Sequence, residues 1–252
     1  MSGMQRLFMG YGSQLIIVDS ADFDGTNDYM TTAGALTGEA DGKSGTLSAF
    51  IRLDGDDASF QNILRNRGGT NPPGFSFGRN ASNDFSINGR NAAGTLILQL
   101  DSSASYAAGA TWYHVLASWD LANGLGHLYV NGVSDLDAST LTDDTIDYTL
   151  GTWAFGAEPT VNKFNGCAAE VWFAMNVYTD FSIPYYRAKW ASVGNKPVYL
   201  GTDGSAPNGT APILYFHLAD AEAVANFATN RGTGGDFSIT GTLTDGSTTP
   251  SD

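Results

Sequence analysis

A chain of 252 residues with 42% hydrophobic and 12% aromatic residues can bury one large core. Its 31 glycines and only 15% charged residues suit short strands and tight turns better than long surface helices. A formal net charge of −14 excludes the basic footprint that nucleic-acid binding requires, and a single cysteine excludes an intrachain disulfide.

Residues 1–20 carry Leu7, Phe8, Met9, Leu15, Ile16, Ile17 and Val18, interrupted by Gly10-Tyr11-Gly12. The apolar runs are too short for a signal-peptide core or a bilayer span, so synthesis in a cytoplasm without export by the usual route, and no membrane insertion, are expected. This is also more apolar surface than a free tail exposes. Residues 1–20 are therefore expected to be an N-terminal arm or assembly segment packed on neighbouring subunits, with an edge strand over 14–18 as the other option. Residues 21–252 form the domain itself.

The domain opens with a strand and turn over 21–32, anchored by Phe23 and Tyr29. Over 46–53, Leu47, Ala49, Ile51 and Leu53 alternate with Ser48, Phe50 and Arg52, the period-2 pattern of a strand. The densest acidic turn follows, with Asp54, Asp56 and Asp57. Calcium takes clustered oxygen ligands, so these three are the candidate metal ligands; the alternative is a solvated turn. Asp143, Asp144 and Asp147 form a second acidic group. Residues 60–65 read as a strand, 66–74 as a Gly- and Pro-rich loop, and 75–77, 84–88 and 95–100 as short strands.

Residues 111–133 carry the strongest signal. Val115, Ala117 and Trp119 alternate with His114, Leu116 and Ser118, and Leu128 and Val130 alternate with His127, Tyr129 and Asn131. Asn131-Gly132 then predicts a two-residue type I′ hairpin turn, which needs positive φ at both positions. Beyond it, 145–155 and 164–176 read as strands. Residues 183–192 predict the one helix, with Ser182 as N-cap, Pro184 in the first turn, and Tyr186 and Trp190 facing the core. Further strands are expected at 213–218 and 237–243.

Nucleophilic and phosphate chemistry are not signalled. Cys167 lacks a neighbouring histidine and reads as a buried, inert thiol. His114, His127 and His217 lack metal-ligand spacing, there is no G-x-S-x-G elbow, and the glycines at 232–235 have no lysine after them. Asp-Phe-Ser-Ile recurs at Asp84, Asp180 and Asp236, but at unequal spacing, so there is no tandem repeat.

Three pieces of this sequence carry a family resemblance. They are Trp112-x-His114-Val115 running through Trp119-Asp120 to Leu128-Tyr-Val-Asn-Gly-Val133, the opening Phe23–Met30, and Phe164-Asn-Gly-Cys-Ala-Ala-Glu-Val171. Together they resemble laminin-G-like domains of the concanavalin A-like lectin and glucanase group, over roughly residues 21–177. The resemblance implies an all-β, concanavalin A-like jelly-roll sandwich of two antiparallel sheets with one short helix. That fold serves sugar binders, hydrolases and adhesive proteins alike, so activity must be argued from the site. Hydrolases of this type carry two or three carboxylates on one strand; here Glu170 stands alone, and no enzymatic activity is expected.

Residues 170–204 also resemble laminin-G-like proteins encoded in bacteriophages. This implies a virion structural protein, a decoration, fibre or tail component, with other virion proteins as partners and a homo-oligomeric state. Cell-surface glycan is the further partner expected. The alternative is a free carbohydrate-binding module or a glycan-degrading enzyme.

Overall fold

Alternating apolar and polar residues recur along most strands of this chain, and period 2 sends the two kinds to opposite faces. The computed structural model describes residues 14–67, 72–157 and 161–252. In chain order the strands are β1 (Ala21–Asp24), β2 (Tyr29–Thr31), β3 (Ser44–Leu53), β4 (Gln61–Arg67), β5 (Phe75–Arg79) and β6 (Phe85–Arg90). Then come β7 (Leu96–Ser102), β8 (Trp112–Asp120), β9 (Leu125–Val130), β10 (Val133–Ser134) and β11 (Leu136–Leu141). Last are β12 (Thr152–Phe155), β13 (Asn165–Met175), β14 (Leu214–Phe216), β15 (Ser238–Thr240) and β16 (Thr244–Asp245).

They form two antiparallel sheets. The first runs β10-β9-β8-β3-β13-β1-β16, with β14 also on β13; the second runs β11-β7-β6-β5-β4-β12-β2-β15. This is the all-β jelly-roll sandwich that the sequence predicts. The main core lies between the sheets. Val115, Ala117 and Trp119 of the first sheet share it with Phe75, Phe77, Ile87 and Leu98 of the second, all fully buried. Asn131 and Gly132 have φ of 50° and 75°, and Val130 pairs with Val133 across them, as a type I′ hairpin requires.

The outer face of the first sheet is not left to solvent. Leu116, Tyr129, Trp172 and Tyr215 point outward there and are covered by Phe181, Trp190, Val198 and Leu200. The segment that covers them corrects the helix expectation. Only Pro184–Arg187 is α-helical, Ile183 rather than Ser182 stands at its N-cap, and Ser182 Oγ instead donates to Asp180. After Arg187 the chain tightens into turns, with Lys189 N donating to Tyr186 O and Trp190 N to Arg187 O. That bend sets the Trp190 ring edge-on against Phe181 and Trp172, at 5.2 and 5.5 Å between centroids. Tertiary burial of one tryptophan outweighs the helical propensity of the segment.

Of the expected arm, the described part is residues 14–20. Residues 14–20 run along their own domain: Leu15 bridges Val198, Val18 bridges Ala219, and Asp19 N donates to Leu218 O. Val18 is fully buried beside Phe50, Ala169 and Ala191, whereas Leu15 and Ile17 stay 59% and 67% exposed. One-sided burial is what period 2 gives a segment laid on a finished sheet. Leu7, Phe8 and Met9 lie outside the described residues.

Candidate functional site

The second sheet keeps its outer face open, and the alternation of β5, β6 and β7 decides what that face offers. Phe75, Phe77, Phe85, Ile87, Leu98 and Leu100 take the core positions, which leaves Ser76, Ser86, Asn88, Gln99 and Asp101 on the other side. Register then lines them up. Gln99 lies opposite Asn88, which lies opposite Ser76; in the next row Asp101 lies opposite Ser86, then Gly78, then Asn62. Two polar rows thus cross the strands side by side.

Loops close the ends of these rows into a groove of about 420 Å³, with Phe60 and Asn80–Ser82 toward one end and Pro73 toward the other. A smaller hollow of about 160 Å³ adjoins it and shares Phe60, Ser76 and Asn88. Phe60 presents its ring there, 60% exposed. Gly78 leaves room in the floor, because a Cβ at that position would meet the Gln61 carbonyl oxygen at 2.1 Å. Gln99 Nε2 donates to Asp101 Oδ2 at 2.6 Å and Asn88 Nδ2 to Ser86 Oγ at 2.9 Å. Asp101 Oδ1 is buried with no hydrogen-bond partner among the described residues. An acceptor shielded in this way carries a desolvation cost and does not face the groove's contents. The groove therefore offers amides that donate and accept, hydroxyls and one exposed aromatic ring. Those are the groups that engage a polyhydroxylated ligand with one apolar face.

The candidate calcium ligands lie elsewhere, and the structure does not bring them together. Asp54 is held by Arg52, whose Nε and NH2 reach its two oxygens at 2.7 and 2.6 Å. Asp56 Oδ2 accepts from Asn165 Nδ2 at 3.0 Å. Asp57 accepts from the Ala108 N–H and from the buried Arg79 guanidinium, and these two hold its carboxyl below the usual range. Three carboxylates with three separate partners present no shared ligand set. Among the described residues, the acidic and thiol groups that do converge are Asp22, Asp54 and Cys167. Their chemistry does not suit a cation: Arg52 occupies Asp54, and burial pushes the Cys167 thiol well up, so it stays protonated. Burial and the nearby Asp54 charge also raise the Asp22 carboxyl.

Glu170, the lone carboxylate of β13, belongs to the first sheet and not to the groove. It sits in a β-bulge of β13 at φ 49°, and its Oε2 accepts from the buried Tyr215 hydroxyl at 2.9 Å. Its Oε1 pairs with His217 Nδ1. His114, buried, stacks on Phe50 and bonds to Ser48 Oγ at 2.9 Å; burial pushes its pKa down to about 3, so it stays neutral. His127 is half-buried beside Tyr178, and its pKa is lowered, mainly by burial. The two histidines on the central hairpin form no joint site.

Comparison with known proteins agrees with this architecture. The model of the laminin-G-like family of the concanavalin A-like lectin/glucanase superfamily matches residues 24–183. A protein of Bacteroides ovatus, proposed to bind carbohydrate, superposes with a TM-score of 0.59 at 17% identity, over 92% of this chain and 60% of its own. The chain thus spans under two thirds of that protein's length. A heptameric SAP-like pentraxin from Limulus polyphemus superposes with a TM-score of 0.54 at 12% identity, over 91% of this chain and 94% of its own. No curated protein sequence matches. With the family model spanning more than half of its length, the chain belongs to the laminin-G-like, concanavalin A-like lectin/glucanase superfamily.

Proposed function

We propose that this protein is a non-catalytic glycan-binding domain whose site is the groove on the outer face of the second sheet. The observation that carries the reading is the pair of open polar rows, with the amides of Asn88 and Gln99 and the exposed Phe60 ring lining one groove. Sugar hydroxyls meet the amide groups, and an apolar sugar face packs on the ring. Binding rather than hydrolysis is supported by the lining: Asp101 is its one carboxylate among the described residues, whereas glycosidic hydrolysis by the common route uses two.

The wider setting of the proposal is a bacteriophage particle. The domain is a decoration, fibre or tail component that meets other virion proteins and copies of itself and engages cell-surface glycan. The support for that setting is the resemblance of residues 170–204 to phage-encoded laminin-G-like proteins.

A glycan array on the intact chain and on an Asn88→Ala/Gln99→Ala variant tests the binding site. Each side chain lost removes hydrogen bonds worth about 1 kcal/mol, so the double variant is expected to bind about tenfold to a hundredfold more weakly. Both positions are on the open face, so its melting temperature should stay near wild type. A variant that melts like wild type and keeps the full array signal would move the site elsewhere. Release of reducing sugar from the bound glycans would make the domain an enzyme. Mass spectrometry of purified particles checks the virion setting; absence of the protein from particles would reject it.

A further inference from the structure

We infer that the half-buried Trp112 forms the wall of a second glycan site, on the first sheet and independent of the groove. Four parts of the chain meet there: the start of β8, the tight turns at 131–132 and 192–195, and the tail at 248–252. Between them lies a cavity of about 380 Å³ lined by Trp112, Asn131, Asn195, Lys196, Thr248 and Thr249, with Asp252 at its rim. Strands β8 and β10 lie in the first sheet, so this cavity and the groove share no lining residue.

The indole is held in place rather than free. Trp112 Nε1 donates to Thr248 Oγ1 at 3.1 Å, the Arg52 guanidinium lies 5.9 Å from the ring centroid, and the ring packs against the cluster of Val18, Phe50, Ala169 and Ala191. Four of the five tryptophans, Trp119, Trp153, Trp172 and Trp190, are at most 1% exposed; Trp112 alone keeps accessible surface. A pinned aromatic wall binds at low entropic cost, since little of it is ordered by the ligand.

The amides beside it are positioned and have bonding capacity left. Asn131 Oδ1 accepts from His114 N at 2.8 Å, which orients the side chain, while its Nδ2 has no acceptor among the described residues. The Asn195 side chain bonds to no described residue. Its backbone is fixed in a turn, at φ 55°, by Asn195 N donating to Ser192 O at 2.9 Å and Lys196 N to Ser192 Oγ at 3.0 Å.

One cationic and one carboxylate side chain line the cavity. The Lys196 ammonium donates to the Asp252 main-chain oxygen, and the Asp252 side-chain carboxylate accepts from Thr249 N at 2.7 Å. The ligand class that fits is a neutral oligosaccharide, with its C–H face on the indole and its hydroxyls on the two amides. A strongly anionic ligand meets the Asp252 carboxylate, and a purely apolar one leaves the amides desolvated without partners.

Because Trp112 is the one accessible tryptophan, acrylamide quenching of the intrinsic fluorescence reads this site, the four buried tryptophans being shielded from the quencher. The experiment titrates the full chain, with the groove disabled by Asn88→Ala/Gln99→Ala, with maltohexaose, cellohexaose, xylohexaose and chitohexaose. At least one is expected to shift the emission saturably and to protect it from acrylamide quenching. Asn195→Gly removes the amide while suiting the positive φ, and is expected to weaken that response about five- to tenfold. The inference is overturned if none of the four sugars alters emission or quenching. It is also overturned if Asn195→Gly responds with unchanged affinity, or if the response needs the intact groove. Failure of groove binding on the array, by contrast, leaves this second site standing.

Discussion

Trp119 and Gly45 face each other across β8 and β3, and the register leaves no room for a side chain on the glycine. A Cβ at Gly45 would lie 2.3 Å from the indole. The ring cannot retreat, because it stacks on Phe75 at 5.5 Å between centroids, and its Nε1 donates to the Tyr148 hydroxyl at 3.0 Å. That hydroxyl donates onward to the Ser44 carbonyl at 3.1 Å, so one side chain ties both sheets to the start of β3. Trp119→Ala leaves a cavity lined by aromatics and is expected to lower the unfolding free energy by roughly 3–5 kcal/mol. Urea unfolding followed by far-UV circular dichroism measures this. A variant within about a degree of wild-type melting would contradict the packing described.

The elements show where local sequence decides structure and where it does not. The Asn131-Gly132 turn is decided locally: both residues adopt positive φ, and the strands on either side pair in register. Gly132→Val forces a β-branched residue to φ near 75° and is expected to cost roughly 1–2 kcal/mol. Glycan affinity of the groove, on the other sheet, should stay unchanged in that variant, as isothermal titration will check. The strands of the core were legible for the same reason, since Leu47 to Leu53 and Val115 to Trp119 state their inner face by alternation. The groove was only half legible. Ser76, Ser86, Asn88 and Gln99 announce a polar face, but that this face stays open while the polar-bearing face of β8 is covered depends on residues 177–200 folding over one sheet alone. The acidic turn reads as one cluster in the sequence because its partners are remote: Asp57 is paired with Arg79, and Asp56 with Asn165, 109 residues on. Composition cannot reveal which carboxylates will meet a cation of the protein itself. The helix was overestimated at 183–192 because propensity knows nothing of the pocket that draws Trp190 inward.

At the scale of the whole molecule, the two ends of the described chain clasp each other over the first sheet. Val18 N donates to Ser251 Oγ at 3.0 Å, Ser20 Oγ to Thr248 O at 3.0 Å, and Gly246 N to Ser20 O at 2.9 Å, while β1 pairs with β16. The tail so placed supplies Thr248, which holds both the Trp112 indole and the Arg52 guanidinium. Residues 14–20 thus act at a distance: they seat the tail, and the tail seats the wall of the second cavity. Deleting residues 2–19 removes the buried Val18 and its backbone partners. Burial of that side chain alone is worth roughly 1.5–3 kcal/mol, or about 3–12 °C of melting temperature in a domain of this size. Calorimetry should show a loss of at least that size, and limited proteolysis should cut the truncated protein between residues 246 and 252 while sparing the intact chain. The response of Trp112 to sugar should weaken in step, with groove binding retained. An unchanged melting temperature with the tail still protected would show instead that the segment is dispensable to the fold and free to serve as an assembly arm.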